Sequence, residues 1–267
     1  MVASAQGYDV ANFQGRYNWQ QAKARTPNLA FGVFRLTQGL GQRTNSPDPD
    51  SGWNHEQIAK LGLHRGAYHF LDPRLPGADQ AEYFVSEYRK LGLTPTDMLW
   101  LDNETAGAGP AATSECARAF MGKLDALVPH NPRGVYTFID FARTGYDNGL
   151  GAYPLWLAWP GSHAPSTPPP WHLWKFWQYG TRNGTDTDAF NGTAEQLNAW
   201  IASYAPKAGP YRHVASGHET LGQIAAARNT TAAHLLAVTI PHLTTADESL
   251  LASVPLPAGT PYYTSNP

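Results

Sequence analysis

The alternation of short apolar runs with amphipathic helical patterns through the first 200 residues constrains the fold more than any other feature. The runs fall at residues 7–10, 30–36, 65–70, 98–101, 134–138, 154–159 and 173–179. Several are apolar almost throughout, which is typical of strands covered on both faces. Between the runs, apolar residues such as Phe84, Tyr88 and Leu91 recur at helical spacing, and Gly92 ends that stripe. This alternation predicts a parallel sheet closed, or nearly closed, into a barrel.

The helical pattern weakens after about residue 141. We therefore predict an α/β fold, an irregular (flattened) β/α barrel whose last strands follow one another without full helices. Residues 205–210 contain two prolines and a glycine and predict a short linker. The linker separates a barrel domain, residues 1–204, from a small tail domain, residues 211–267.

Composition and missing motifs exclude several classes of function. The formal net charge is -2 without a basic stripe, so nucleic acid is not an expected partner. No apolar run approaches the roughly 18 residues that span a bilayer, so membrane insertion is not expected. Glycine-rich nucleotide loops and the HExxH and GxSxG motifs are missing, and the single cysteine, Cys116, rules out a thiolate cluster. We expect neither a cofactor nor a metal.

The most informative stretch is residues 97–104, DMLWLDNE, in which an apolar strand ends in two acids. The strand period of two predicts that Asp102 and Glu104 share one face. Active sites form at the carboxyl ends of parallel barrel strands. A carboxyl pair at that end suits glycoside hydrolysis, in which one acid protonates the leaving oxygen. The alternative is an acid pair that caps a helix or binds a loop.

The spacing of the pair sets a condition on its chemistry. Residues two apart on a strand lie roughly 6.5 Å apart. Two charges at that separation repel by about 0.6 kcal/mol in water and about 2.5 kcal/mol at an effective dielectric of 20. The larger value corresponds to nearly two pKa units. One acid therefore stays protonated near neutral pH only if the site is partly buried.

Further acids stand at the first and last apolar runs. Asp9 belongs to the first run, and Asp186 and Asp188 follow the last one. Because a closed barrel brings its first and last strands together, we expect Asp9 and Asp188 to join the central pair. Loop acids also serve solubility, so each acid taken alone leaves that alternative open.

Taken together, the sequence motifs resemble those of the family 25 glycoside hydrolases, the Chalaropsis-type lysozymes. The resemblance begins with DVANFQG at residues 9–15, followed by Trp19. It continues through FGVFRLT at 31–37, GAYHF at 66–70, QAEYF at 80–84, LDNE at 101–104, GVYT at 134–137, PLWLA at 154–158, WQY at 177–179 and DAFNG at 188–192. These motifs occur in order across residues 7 to about 204. Asn103 departs mildly from the apolar or small residue usual between the two acids.

The resemblance implies a muramidase, which cleaves the β-1,4 bond between N-acetylmuramic acid and N-acetylglucosamine in bacterial peptidoglycan. It implies that Glu104 is the acid/base, that Asp102 is its partner, and that Asp9 and Asp188 line the site. The substrate-binding positions that it implies are Tyr68, Arg35, Tyr136, Gln178 and Trp156.

The tail resembles a LysM module, a small α+β unit that binds glycans containing N-acetylglucosamine. YRHV at residues 211–214 matches its first strand, and helical stretches at 220–228 and 231–238 match its two helices. The turn before the last strand is only approximated, at residues 257–261. The N-terminus shows no secretory signal pattern, and this pairing of units resembles phage endolysins. We therefore expect a monomer that waits in the host bacterial cytoplasm until release and then acts at the cell wall. The alternative is an unconventionally exported bacterial autolysin.

Two competing functions and one mechanistic question stay open. A catalytically silent glycan-binding protein is the alternative from another class, although a pure binder has no need of a proton donor. A chitinase-like glycosidase is the nearest alternative among enzymes. Asp102 and Glu104 approach the sugar from one face, so we predict retention with the substrate's own 2-acetamido group as nucleophile. Asp9 or Asp188 as an opposed nucleophile or inverting base is the alternative.

Overall fold

The computed structural model describes residues 4–41, 45–107, 109–205, 211–214, 220, 222–223 and 261–264. The chain divides into two compact units, Met1–Ala205 and Pro206–Pro267. In the first unit, eight strands form a closed barrel in which each strand lies beside its neighbour in sequence. The predicted irregular β/α barrel is confirmed. Within the described part of the chain, no helix is long and apolar enough to cross a membrane.

The elements of the first unit follow the predicted alternation. The strands are β1 Gln6–Val10, β2 Leu29–Gln38, β3 His64–Phe70, β4 Met98–Asp102, β5 Arg133–Phe138, β6 Leu155–Ala158, β7 Trp174–Arg182 and β8 Thr185–Phe190. The helices are α1 Trp19–Arg25, α2 Ser51–Lys60, α3 Gly77–Leu91, α4 Pro110–Leu127, α5 Ile139–Arg143 and α6 Ala194–Ala202, with a short 3₁₀ helix at Asn12–Gln14. Gly92 ends α3 in the left-handed conformation at φ 92°. Between β5 and β8, α5 is the single helix and has five residues, so the predicted loss of helices is confirmed.

The eighth strand differs from the expected parallel sheet. β8 runs antiparallel to both β7 and β1, whereas the other neighbouring strands are parallel. The reason is the connection, since Asn183 and Gly184, both with positive φ (53° and 76°), join β7 to β8. A two-residue Asn-Gly loop makes a hairpin, because a parallel return needs a long crossover. The prediction of a parallel sheet is therefore wrong at β8, a strand that the apolar runs did not predict.

The barrel interior is filled by large apolar side chains beneath the carboxyl ends of the parallel strands. These buried residues are Phe31, Val33, Met98, Trp100, Trp156, Phe176 and Phe190. Two glycines make room for the rings. A Cβ atom at Gly7 would lie 2.0 Å from the Phe31 ring, and one at Gly134 would lie 2.4 Å from the Trp100 ring. Residues of the opposite strand faces, such as Leu99 and Leu101, pack instead in the core cluster that contains α3 and α4 residues.

In the second unit, β9 Tyr211–Val214 pairs antiparallel with β10 Pro261–Thr264. The first of these strands is the one that the LysM pattern predicts at residues 211–214. The two predicted helices, 220–228 and 231–238, lie almost entirely outside the described residues. The LysM-like assignment of residues 211–267 therefore stays a prediction.

Candidate active site

A cavity of about 210 Å³ lies at the carboxyl ends of the parallel strands. Its walls are lined by Asp9, Val10, Ala11, Phe13, Gln14, Arg35, Tyr68, Phe70, Asp102, Glu104, Tyr136, Trp156, Gln178 and Asp186. Because a strand points alternate side chains to one side, the contributions of β3 (Tyr68 and Phe70) are two residues apart. The buried rings below fill the barrel, so polar groups concentrate in this upper layer.

Asp102 and Glu104 both line the cavity, although β4 ends at Asp102 and Glu104 lies just beyond it. Asn103, between them, is fully buried and does not line the cavity. Its Nδ2 donates to Asp147 Oδ1 at 2.8 Å, and its backbone N–H donates to the Tyr136 carbonyl at 2.9 Å. Asp147 Oδ2 also accepts from the Thr137 hydroxyl at 3.0 Å. These bonds anchor the residue between the two acids.

Asp102 and Glu104 are buried enough for one of them to hold a proton, as their close spacing requires. Burial raises the pKa of Asp102 well above its ordinary value, and the charges of Glu104 and Asp9 raise it further, while Arg35 acts in the opposite sense. Burial also raises the pKa of Glu104, with a further contribution from Asp186. One oxygen of Asp102, Oδ1, is buried and has no hydrogen-bond partner among the described residues. Both acids of the pair therefore hold a proton more readily than exposed carboxyl groups do.

Asp9 reaches the cavity from β1 and is tied to two predicted binding residues. Gln178 Nε2 donates to Asp9 Oδ2 at 2.9 Å, and the Tyr136 hydroxyl donates to Gln178 Oε1 at 3.0 Å. Burial, followed by the charge of Asp186, raises the pKa of Asp9 from 3.8 to about 7, although the hydrogen bond from Gln178 acts to lower it. This chain of three side chains links β1, β7 and β5 across the cavity wall.

The two acids of β8 take different places. Asp186 lies opposite Asp9 in the β1–β8 pairing and lines the cavity. Asp188 has 0% exposure and does not line the cavity, and its Oδ1 accepts from Trp156 Nε1 at 2.8 Å. The structure thus brings together Asp9, Asp102 and Glu104, as expected, and places Asp188 one layer beneath them. The residue that reaches the wall from β8 is Asp186, which the sequence analysis had left outside the site.

The predicted substrate-binding residues, Tyr68, Arg35, Tyr136, Gln178 and Trp156, all line the cavity. Arg35 is buried and bound to Asp48, with Nε–Oδ2 at 3.2 Å and Nη2–Oδ2 at 3.0 Å. Its guanidinium also donates to the Asn12 side chain and lies 5.3 Å from the centre of the Phe13 ring. Phe13, Gln14 and Phe70 are lining residues that the sequence analysis missed. Phe13 and Gln14 lie in the recognised 9–15 motif, and Phe70 follows Tyr68 at the strand period.

The arrangement of carboxyl groups suits the cleavage of bonds between sugars. Among the described residues, no group of three or more His, Cys, Asp and Glu side chains is arranged to hold a metal ion. Carboxyl groups surround a cavity with aromatic walls, and at least one is readily protonated near neutral pH. Paired carboxyl groups of this kind are the catalytic groups of most glycoside hydrolases.

Comparison with known proteins identifies the family. The family model described as Glycosyl hydrolases family 25 matches residues 8–189. Lysozyme M1 of Streptomyces globisporus is 30% identical over 218 residues, which cover 74% of this chain and 71% of that protein. The chain belongs to glycosyl hydrolase family 25 and is a glycoside hydrolase of the lysozyme type.

Solved structures agree with this assignment. A bacterial lysozyme from Streptomyces coelicolor superposes with a TM-score of 0.63 and 28% identity, and the match covers 76% of this chain and 99% of that one. A muramidase from Acremonium alcalophilum gives a TM-score of 0.65 and 25% identity, with coverage of 74% of this chain and 99% of that one.

Proposed function

We propose that the protein is an N-acetylmuramidase that hydrolyses the β-1,4 bond between N-acetylmuramic acid and N-acetylglucosamine in bacterial peptidoglycan. One observation carries the proposal: Glu104, with its raised pKa, stands beside buried Asp102 in the cavity of a family 25 barrel. A raised pKa keeps the acid protonated until it meets the glycosidic oxygen. The names of the similar lysozymes and muramidases support the choice of substrate.

In the proposed mechanism, the Glu104 carboxyl donates its proton to the glycosidic oxygen as the bond from that oxygen to C1 breaks. The carbonyl oxygen of the substrate's own 2-acetamido group attacks C1 and forms an oxazolinium ring. Asp102, which also lines the cavity, orients the acetamide and, when it is ionised, stabilises the positive ring. Glu104 then removes a proton from water, which attacks C1 and reopens the ring. The sugar leaves with retained configuration.

The barrel geometry also supports a second mechanism. In the closed order of eight strands, β8 lies opposite β4, and Asp186 of β8 lines the cavity whose other side holds Glu104. A carboxylate across the sugar from the acid is the arrangement in which water is activated on the opposite face and the configuration inverts. NMR of the first-formed product anomer separates the two. Retention, together with loss of cleavage when the glycan lacks its N-acetyl groups, supports acetamido participation, and inversion overturns it.

The acid role is tested by Glu104→Gln, which keeps the shape of the side chain but removes the proton. General acid catalysis contributes about 10²–10⁴-fold, so clearing of purified cell walls should fall by that factor. Glu115→Gln is the matched control, because Glu115 is exposed on α4 and should leave lysis unchanged. Lysis by Glu104→Gln within a few-fold of the unmodified protein would move the proton donor elsewhere.

The same variants address the competing functions. A silent glycan-binding protein would bind walls without clearing them. The unmodified protein and Glu104→Gln would then both fail to clear walls. A chitinase-like enzyme would cleave soluble chitin oligomers in preference to peptidoglycan. We expect cleavage of peptidoglycan and its loss in the variant.

We further propose that residues 211–267 anchor the enzyme to wall glycan and take no part in the chemistry. The LysM-like sequence pattern and the β9–β10 pairing support this proposal. Tethering raises the effective concentration of the barrel at the wall without a new contact to the reacting sugars. Deletion of the tail should weaken binding to insoluble walls and spare turnover of a soluble fragment. Equal loss on both substrates would make the tail part of the catalytic machinery.

The biological setting that we propose is a phage endolysin, held in the host cytoplasm until the membrane is permeabilised. The pairing of a lysozyme barrel with a wall-binding pattern supports it. Cells that express the protein should remain intact until a membrane-permeabilising agent is added and should then lyse. Lysis without that agent would favour an exported autolysin.

A further inference from the structure

Asp188 is a buried acid that the proposed mechanism does not use. It lies on β8 beneath the cavity, with 0% exposure, and its Oδ1 accepts from Trp156 Nε1 at 2.8 Å. Its second oxygen, Oδ2, is buried and has no hydrogen-bond partner among the described residues when both carboxyl groups are taken as ionised. A carboxylate in such a place would leave an unpaired charge in the apolar interior, which is strongly unfavourable.

The carboxyl group beside Asp188 is that of Asp9. The two carboxyl groups lie within hydrogen-bonding distance of each other. Two carboxylates are both acceptors, so a hydrogen bond between them needs one proton. Asp9 already accepts a hydrogen bond from Gln178 and lines the cavity, whereas the Asp188 side chain is fully buried. The proton is therefore better placed on the deeper group, where it avoids a buried charge.

We propose that Asp188 is a positioning residue that remains protonated and donates its carboxyl hydrogen to Asp9, which it holds as an oriented carboxylate in the cavity wall. This proposal rests on the proposed function, because its activity measurements assume that the protein hydrolyses peptidoglycan. The side chain acts through Asp9 and does not touch the substrate. Burial raises the pKa of Asp188 well above its ordinary value, with a further contribution from Asp9, in agreement with this protonated state.

The surroundings of Asp188 favour the neutral form from several elements. The titratable groups that face it are Asp9 from β1, Asp186 from β8 itself, Tyr136 from β5 and Tyr179 from β7. Ionised aspartates beside it oppose a further negative charge. Trp156 from β6 donates a neutral N–H that an uncharged carboxyl oxygen also accepts. At alkaline pH, loss of the Asp188 proton would break the bond to Asp9 and place two charges side by side.

The proposal predicts that an amide can replace this carboxyl. In Asp188→Asn, the amide nitrogen donates to Asp9 and the amide oxygen accepts from Trp156, so both contacts survive. We expect the rate of wall cleavage to stay within about threefold of the unmodified protein. Asp188→Leu removes both contacts, and its rate should fall at least about tenfold.

A measurement that does not depend on activity keeps the test separate from the proposed function. The infrared difference spectrum between the full chain and Asp188→Asn at neutral pH should contain a protonated-carboxyl C=O band, because the contributions of other protonated carboxyl groups, such as Asp102, cancel. Asp140→Asn, at an exposed aspartate of α5, is the control and should leave that band in place. Failure of the unmodified protein to cleave peptidoglycan would refute the proposed function, and the infrared band would still decide the state of Asp188. Absence of the band, or a loss of more than about tenfold in folded Asp188→Asn, would overturn the proposal.

Discussion

Replacing Asp9 by asparagine is expected to stabilise the barrel, and the stabilisation should grow as the pH rises. Asp9 is 8% exposed, and its pKa rises from 3.8 to about 7, first because of burial and then because of Asp186. Between these two values the folded protein holds a proton that the unfolded chain has released. Stability therefore falls as the pH rises through this window. An asparagine carries no charge at any of these pH values and removes that dependence.

The magnitude follows from the two pKa values. Each pKa unit corresponds to about 1.4 kcal/mol, so values of 3.8 and about 7 give a difference of up to about 4 kcal/mol in the free energy of unfolding. The effect is absent below about pH 4 and complete above about pH 7. The amide oxygen of Asp9→Asn still accepts the Gln178 hydrogen bond, but the amide nitrogen cannot accept a proton from Asp188, so the observed stabilisation should fall below this limit. The variant should at the same time lose activity, because the charge of Asp9 belongs to the cavity wall.

The assay is urea unfolding of the full chain followed by tryptophan fluorescence at several pH values between 4 and 8. All 9 tryptophans lie between positions 19 and 200, so the signal reports on the first unit alone. Asp140→Asn, at an exposed aspartate, controls for the loss of a carboxyl as such. The free energy of unfolding is then compared with pH for the two proteins. If the curves of Asp9→Asn and the unmodified protein run parallel, the argument that burial of this carboxyl destabilises the fold is refuted.

Two further predictions concern residues around the cavity. Asn103→Ala leaves Asp147 without one of its donors in a buried place, so unfolding should become easier by about 1–3 kcal/mol; unchanged stability in the same assay would contradict the anchoring role. Phe13→Ala should leave stability within about 0.5 kcal/mol, since Phe13 is 82% exposed. Its KM for solubilised wall fragments should rise about two- to tenfold through loss of a ring contact, and an unchanged KM would remove Phe13 from substrate binding.

Much of the barrel could be predicted because its signals are local. Strands covered on both faces read as continuous apolar runs, and the helical stripe before Gly92 carries its own stop signal. The pairing of Asp102 with Glu104 followed from the strand period and the strand end. The strand β8 was not predicted, because its sequence, TDTDAF, is not an apolar run, and the Asn183–Gly184 turn that makes it a hairpin partner of β7 is a separate signal.

The finer layout of the site depends on depth and on long-range contacts, which no local pattern contains. Asp186 and Asp188 share one strand face, but the period of two does not say which one reaches the cavity. The closed barrel decides this, since Asp186 lies beside Asp9 and Asp188 lies lower, against Trp156. The contact of Asn103 with Asp147 joins residues 44 positions apart, so the residue between the two acids showed no sign of its anchor.

The most direct test of the muramidase assignment is mass spectrometry of the fragments that the full chain releases from a defined peptidoglycan, after chemical reduction of their new ends. Cleavage of the proposed β-1,4 bond leaves N-acetylmuramic acid at each new reducing end, so the reduced sugar should be the muramic alcohol. Glu104→Gln should release no such fragments above background. Reduced N-acetylglucosamine at the new ends, or release of free peptides alone, would contradict the assignment.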